Sequence, residues 1–220
     1  MNPALPDAIA ASFDCAPDVA QSVAAQARLA DYAPRNIIVT GGQSSDQIYL
    51  MVDGHARMLA FSLDGRLMVV EDFAAGDLFG EGALIGEGPV ADEITAVDAV
   101  SAGIFQAQVM IALMSAHPSI ALAISRRLVA RLSAVSRRLV EGTTLSATGR
   151  IHAEILRRAR TGKDMTIRPA PVLSELALHV SSTRETVSRT VSALIKRGIL
   201  RRDDEALIVV APHRLEELVF

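Results

Sequence analysis

The segment Arg184-Glu185-Thr186-Val187-Ser188-Arg189 holds the densest set of side chains able to recognise another molecule. Arginine presents a planar fork of donors that matches the N7 and O6 acceptors of guanine, and a carboxylate accepts from the cytosine amino group. Each such contact discriminates between bases by about 1–3 kcal/mol. The carboxylate is the informative member, because among phosphates it costs affinity unless it meets a base donor. With the residues just upstream, the candidate contact set is Ser182, Thr183, Arg184, Glu185, Ser188 and Arg189. A second chemistry is weighed at Asp77, Glu81, Glu87, Asp92 and Glu93, an acidic run that could hold a metal or do acid–base work. Metal-dependent β-barrel enzymes need several inward histidines. Here only His55 falls among the strand-like segments, with His117, His152, His179 and His213 outside them. There is no nucleophile–base pair and no phosphate-binding glycine loop, so we expect neither catalysis nor a metal site.

The elements that must position the first set are legible around it. Val172 to His179 reads as a short helix with Leu173, Leu176 and Ala177 on one face. Val180-Ser181-Ser182 makes a turn, and Thr183 is a good N-cap. A second helix from Arg184 to Arg197 is predicted to bury Val187, Val191, Leu194 and Ile195 and to stop at Gly198. These are helix-turn-helix proportions. Ile199 to Arg202 and Leu207 to Val210, joined by Asp203-Asp204-Glu205, read as a β-hairpin wing.

Upstream the texture differs. Residues 1–33 read as short helices, the second running from Pro17-Asp18 towards Leu29. From Pro34 to Phe105, short strands punctuated by Gly41-Gly42, Asp53-Gly54, Asp64-Gly65 and Gly76-Asp77 predict an antiparallel barrel or jelly roll. From Pro118 the period changes to about 3.6, and the run to Glu141 is predicted to stop at Gly142. Ile124, Leu128, Leu132, Val135 and Leu139 form one apolar seam, with Arg126, Arg127, Arg131, Arg137 and Arg138 off it. A small barrel cannot cover so long a stripe, so the expected partner is the same helix of a second subunit, a short coiled coil. A further helix is predicted over Ala147 to Arg160, broken by Thr161-Gly162.

Composition fits this division. The chain has 220 residues, half of them hydrophobic and 21% charged, as in ordinary globular proteins. Net charge is −3, but residues 146–220 hold 13 Lys/Arg against 9 Asp/Glu and carry +4, while residues 1–145 hold 9 against 16 and carry −7. Positive charge gathered at one end points to a polyanion partner. The lone Cys15 excludes an internal disulfide and a four-cysteine iron–sulfur cluster within one chain. The N-terminus lacks a basic stretch followed by an apolar run, and no stretch approaches the roughly 18 apolar residues of a membrane span, so a cytoplasmic protein is expected.

With these residues in view, the chain resembles the cyclic-AMP receptor protein/FNR family of bacterial transcription regulators over nearly its full length. The resemblance rests on Gly41/Gly42, Gly54, Asp64-Gly65, Gly76-Asp77-Leu78-Phe79-Gly80-Glu81, Thr148-Gly149-Arg150-Ile151 and Thr183-Arg184-Glu185-Thr186-Val187-Ser188-Arg189, in that order. It implies an α+β fold: an N-terminal β-roll (cyclic-nucleotide-binding-like jelly roll) over 1–116, a dimerisation helix over 117–145 and a C-terminal winged helix-turn-helix over 146–220. It also implies that double-stranded DNA is the partner of a homodimer, with Arg184, Glu185 and Arg189 reading a palindromic site of GTGA-like half-sites about one helical turn apart. RNA polymerase is a further partner if the protein activates transcription.

The departures bear on the sensor. Cyclic-nucleotide-binding relatives follow the Gly-Glu of their phosphate cassette with Arg-Ser or Arg-Thr. Here Gly80 and Glu81 are followed, at the corresponding positions, by Ala91 and Asp92. A charge-assisted bond of about 1.5–3 kcal/mol is lost, and Asp92 would repel the phosphate. The hydroxyl pair that relatives offer to adenine corresponds to Val135 and Ser136, so one hydroxyl remains. Cyclic AMP is therefore not expected to bind in the family manner, and Glu81 without an Arg partner would simply cap a turn. The effector stays open between haem, with His55, His117 and Cys15 as axial-ligand candidates, another small molecule, and none. Val172 stands where relatives have Thr or Ser, which weakens the cap of the first helix of the pair.

Overall fold

The computed structural model describes residues 5–61, 67–86 and 93–219 and divides into two compact units, 1–131 and 132–220. Asp64-Gly65, Ala91 and Asp92 lie outside the described residues.

In the first unit, α1 (Leu5–Phe13) and α2 (Pro17–Ala24) precede eight short strands: β1 (Arg28–Tyr32), β2 (Ile37–Val39), β3 (Gln47–Asp53), β4 (Ala56–Phe61), β5 (Leu67–Phe73), β6 (Leu78–Phe79), β7 (Glu93–Ala96) and β8 (Val100–Gln106). Leu29, predicted at the end of a helix, lies instead in β1, where it pairs with Gly103 of β8. Cross-strand pairing overrides the helix-forming composition at this position. The strands make two four-stranded sheets, ordered β1-β8-β3-β6 and β2-β7-β4-β5, with every pairing antiparallel. This is the expected β-roll.

Strand β3 shows why the sequence alternates so little there. Tyr49 and Met51 point into a core shared with Phe73, Phe79 and Ile94 of neighbouring strands, whereas Ile48 and Leu50 face a second core built with Ile9 and Phe13 of α1. A strand covered on both faces reads as a continuous apolar run. That second core also takes Met110 of α3 (Ala107–Ala116) and Ile120 and Ile124 of α4 (Pro118–Thr144).

Helix α4 has 27 residues and is about 40 Å long. It does not stop at Gly142. A Cβ there would meet nothing within 4 Å, so the glycine is a surface residue with a modest propensity cost and not a terminator. The Thr143 and Thr144 hydroxyls donate back to the carbonyls of Leu139 and Val140, satisfying acceptors near the helix end. Of the predicted seam only Ile124 is buried; Leu128, Leu132, Val135 and Leu139 are exposed.

The second unit packs α5 (Ala147–Thr161), α6 (Leu173–His179), α7 (Arg184–Lys196) and α8 (Pro212–Glu216) against a three-stranded antiparallel sheet ordered β10-β11-β9. Strands β10 (Leu200–Arg202) and β11 (Leu207–Val209) are the predicted hairpin, and β9 (Thr166–Ile167) adds a third strand too short to carry a sequence signal. Ile151 and Ile155 of α5 meet Leu176 of α6, Val187 and Val191 of α7 and Leu215 of α8 in one core. No single helix among the described residues is long and apolar enough to cross a membrane.

Candidate nucleic-acid interface

The turn between α6 and α7 is fixed by its own backbone. Ser181 adopts a left-handed conformation, φ 49°, after the C-terminus of α6. Its N–H donates to Leu178 O at 3.4 Å, and the next N–H, of Ser182, donates to Ala177 O at 2.9 Å. Those two bonds are the Schellman arrangement, with serine at the position that glycine usually takes. Thr183 then caps α7: its hydroxyl accepts from Thr186 N–H at 3.2 Å. Val172, at the corresponding position of α6, provides no side-chain cap, in line with its missing hydroxyl.

Beyond the cap, α7 buries Val187, Thr190, Val191 and Leu194. Ile195, predicted in that stripe, is instead 38% exposed, and Thr190 takes the inward place. The burial centre is therefore rotated by a fraction of a turn, from Ile195 towards Thr190. On the opposite face Arg184, Glu185 and Arg189 are exposed, as is Thr183, while Ser182 and Ser188 are half-buried at the edge. The structure thus brings all six predicted contact residues into one turn-and-helix segment. The Glu185 carboxyl is held below the usual glutamate range by its own backbone amide and the Thr183 hydroxyl, with Arg184 and Arg189 adding to the effect. It is accordingly an acceptor at neutral pH, the state required to take a bond from cytosine.

Sequence reasoning missed the groove beside this helix and the group that holds its turn. A groove of about 380 Å³ is lined by Thr186, Arg189 and Thr190 of α7, by Arg197 just past its end, and by Thr148 and His152 of α5. His152 is buried, and its Nδ1 donates to Leu218 O at 2.8 Å, which ties the C-terminal segment to α5. Gly149 is required nearby, since a Cβ there would come within 2.6 Å of Val219 O. Arg150 donates to Val180 O, Leu145 O and Ser181 O. The motif Thr148-Gly149-Arg150-Ile151 was visible in sequence, but its carbonyl partners were not, because backbone acceptors carry no sequence mark.

In the first unit, Gly80 has φ 88° and its missing Cβ would clash with Gln47 O at 2.5 Å, so the cassette glycine is dictated by backbone approach. Glu81 is not the partnerless turn cap expected from sequence. Arg131 Nη1 donates to both of its carboxylate oxygens at 3.0 Å, while Nε reaches Glu71 Oε1 at 2.9 Å and Nη2 reaches Leu78 O at 2.8 Å. The guanidinium also lies 5.4 Å from the centroid of the Phe73 ring. One turn earlier, Arg127 donates to Gly76 O at 3.0 Å. Val135 and Ser136 are exposed on the part of α4 that belongs to the second unit. Of the haem-ligand candidates, His55 is exposed with Nδ1 2.7 Å from Asp98 Oδ2, His117 follows α3, and Cys15 lies between α1 and α2. No group of three or more His, Cys, Asp or Glu among the described residues is placed to hold a metal.

A roll of two antiparallel sheets followed by a winged helix-turn-helix with exposed arginines on its second helix is the architecture of a DNA-binding regulator. Residues 29–117 match the family described as Cyclic nucleotide-binding domain, and residues 149–218 match the Crp-like helix-turn-helix domain. A CRP-like cAMP-activated global transcriptional regulator of Mycobacterium tuberculosis is 21% identical over 204 residues, 90% of this chain and 91% of that protein. The cAMP-activated global transcriptional regulator CRP of Pasteurella multocida is 25% identical over 183 residues, 81% of this chain and 88% of that one. Among solved structures, a CooA mutant from Carboxydothermus hydrogenoformans has a TM-score of 0.80 at 18% identity, over 90% of each chain. FixK2 from Bradyrhizobium japonicum has 0.72 at 20%, over 87% of this chain and 96% of that one. The chain belongs to the cyclic-AMP receptor protein/FNR family, whose members are transcription regulators and not enzymes.

Proposed function

We propose that the chain acts as a homodimer that binds a palindromic DNA site with GTGA-like half-sites, through Ser182, Thr183, Arg184, Glu185, Ser188 and Arg189 of each subunit. The observation that carries this reading is the exposed Arg184, Glu185 and Arg189 set on a capped helix in the basic part of the chain. Pairing through residues 117–145 is supported by the exposed Leu128, Leu132, Val135 and Leu139. In this reading residues 1–116 are the sensor and 146–220 the DNA reader. Ala91 and Asp92 stand where the family resemblance implies the Arg-Ser or Arg-Thr of cyclic-nucleotide-binding members. Glu81 is taken up by Arg131. We infer that cyclic AMP is not bound in the family manner; a different small molecule, haem or no effector remains as the sensor's input.

The experiment is a gel-shift with a palindromic GTGA-type operator against random duplex, at a stated salt concentration because phosphate contacts make affinity steeply salt-dependent. Arg184→Ala and Arg189→Ala are each expected to cost about 1–3 kcal/mol on the operator and much less on random duplex. Equal losses on both would show phosphate contact and refute base reading. Calorimetric titration with cyclic AMP and cyclic GMP is expected to give no heat of binding at micromolar ligand, and binding in that range at the roll would overturn the sensor reading.

A further inference from the structure

The motif Thr148-Gly149-Arg150-Ile151 is not used by the base contacts, yet its arginine joins three backbone carbonyls on two segments of the second unit. Arg150 sits in the first turn of α5, whose cap Ser146 accepts from Gly149 N–H at 3.0 Å. Its Nη1 donates at 3.2 Å to the carbonyl of Leu145, the residue that follows α4. Its Nε donates at 3.0 Å to Val180 O and its Nη2 at 3.4 Å to Ser181 O. Those two carbonyls belong to the turn whose left-handed Ser181 lies two residues before the Thr183 cap of α7. One planar group therefore bridges the end of the proposed dimerisation helix and the entry to the proposed reading helix.

The apolar core beneath also joins α5 to α7, through Ile151, Ile155, Val187 and Val191. Apolar contact is non-directional, so it holds the helices together without fixing the angle at which the turn leaves them. A guanidinium is different: its donors are arranged in a rigid fork, and three acceptors on two segments fix position and direction together. Lysine would keep the charge but offers a point donor on a flexible stem, unable to hold both segments in one plane.

We propose that Arg150 is a positioning residue that locks the entry of the reading helix to the end of α4, and so sets the half-site spacing that a dimer accepts. It touches no base. In a dimer joined along α4, the two reading helices are placed by whatever fixes each one to its own α4 end. Moving a half-site by one base pair turns it about the duplex axis by roughly a tenth of a turn, which a rigid junction rejects and a loosened one tolerates. The inference rests on the dimer and operator reading given above.

The test uses the full-length chain with operators whose two half-sites stand at the preferred spacing and one base pair nearer or farther. Wild type is expected to favour the preferred spacing strongly. Arg150→Lys and Arg150→Ala are expected to lose about tenfold or more at that spacing, the scale of one charge-assisted hydrogen bond. Both should also bring the three spacings towards equal affinity, while a base change at the half-site guanine costs the same factor as in wild type. A role confined to folding would lower all operators in proportion and leave the spacing ratio untouched, and that result overturns the proposal. Thermal unfolding followed by circular dichroism keeps the readings below each variant's transition, and Arg150→Lys carries the test if the alanine variant does not fold. A wild-type protein that prefers no operator over random duplex sinks the operator reading and this proposal together. A wild type that discriminates spacing, beside an Arg150→Lys variant with the same ratio, sinks this proposal alone.

Discussion

Arg131→Met tests whether the cassette of the first unit is held by an internal cation. Methionine keeps an apolar stem that can lie beside Phe73, but it removes the guanidinium from that ring and every donor with it. Arg131 serves Glu71, Glu81 and Leu78 O together, and the Glu81 side chain is only 10% exposed against 26% for Arg131. Removing one partner of a fully buried ion pair costs about 3–5 kcal/mol, because the other charge is left in a poor solvent. Water reaches part of this guanidinium, so the expected loss is smaller, about 2–4 kcal/mol. Adding Glu81→Gln should recover about half of it, since a neutral amide needs no counter-charge. The chain has no tryptophan, so urea unfolding is followed by far-ultraviolet circular dichroism and read on the transition of the first unit. Two results refute the reasoning: a loss below about 0.5 kcal/mol, as for a solvated surface pair, or strictly additive effects of the two substitutions.

Two further outcomes follow from the second unit and from α4. Burial alone would push the Glu154 carboxyl up, but Arg157 and Arg158 outweigh it and hold the group below the usual glutamate range. As pH falls, the unfolded chain therefore takes up the proton first. The stabilisation is complete above the ordinary glutamate pKa and is lost as pH drops through the folded value, so Glu154→Gln should flatten acid unfolding of this unit, measured by urea titration at several pH values. An unchanged slope would show that Glu154 is not part of it. Leu132→Asp with Leu139→Asp should convert a dimer to monomer in sedimentation equilibrium. Four buried leucines per dimer are worth about 6 kcal/mol or more, roughly ten-thousandfold in dissociation constant. A dimer that survives both changes is joined elsewhere.

What could be read from the sequence was what is periodic or local. The α7 stripe repeats at helical spacing because burial does, the α4 seam repeats at the same spacing, and the Thr183 cap is a purely local signal. The one misplaced stripe residue, Ile195, is at the same spacing as its neighbours; only the tertiary placement of α7 in its core decides that Thr190 goes inside in its place. Strand β9 and the extension of α4 past Gly142 depended on pairings and carbonyl bonds that a glycine or a two-residue strand does not advertise. The acidic cassette was legible as charge, yet its counter-charge lies 50 residues away, on α4 and off the apolar seam.

That face explains the seam. An amphipathic helix beside a small core ordinarily turns its apolar residues inward and its arginines to water. Helix α4 does so only at its start, where Ile120 and Ile124 are buried. Further along, Arg127 and Arg131 are drawn to carbonyls and carboxylates of the roll, and Leu128, Leu132, Val135 and Leu139 are left in solvent. Leaving such residues uncovered forgoes about 1.5–3 kcal/mol for each large side chain. A second copy would supply an identical stripe at the same spacing, which is why the pairing proposed above uses this helix. In that pairing the arginines keep their carbonyl and carboxylate partners within the first unit while the stripe gains an apolar cover.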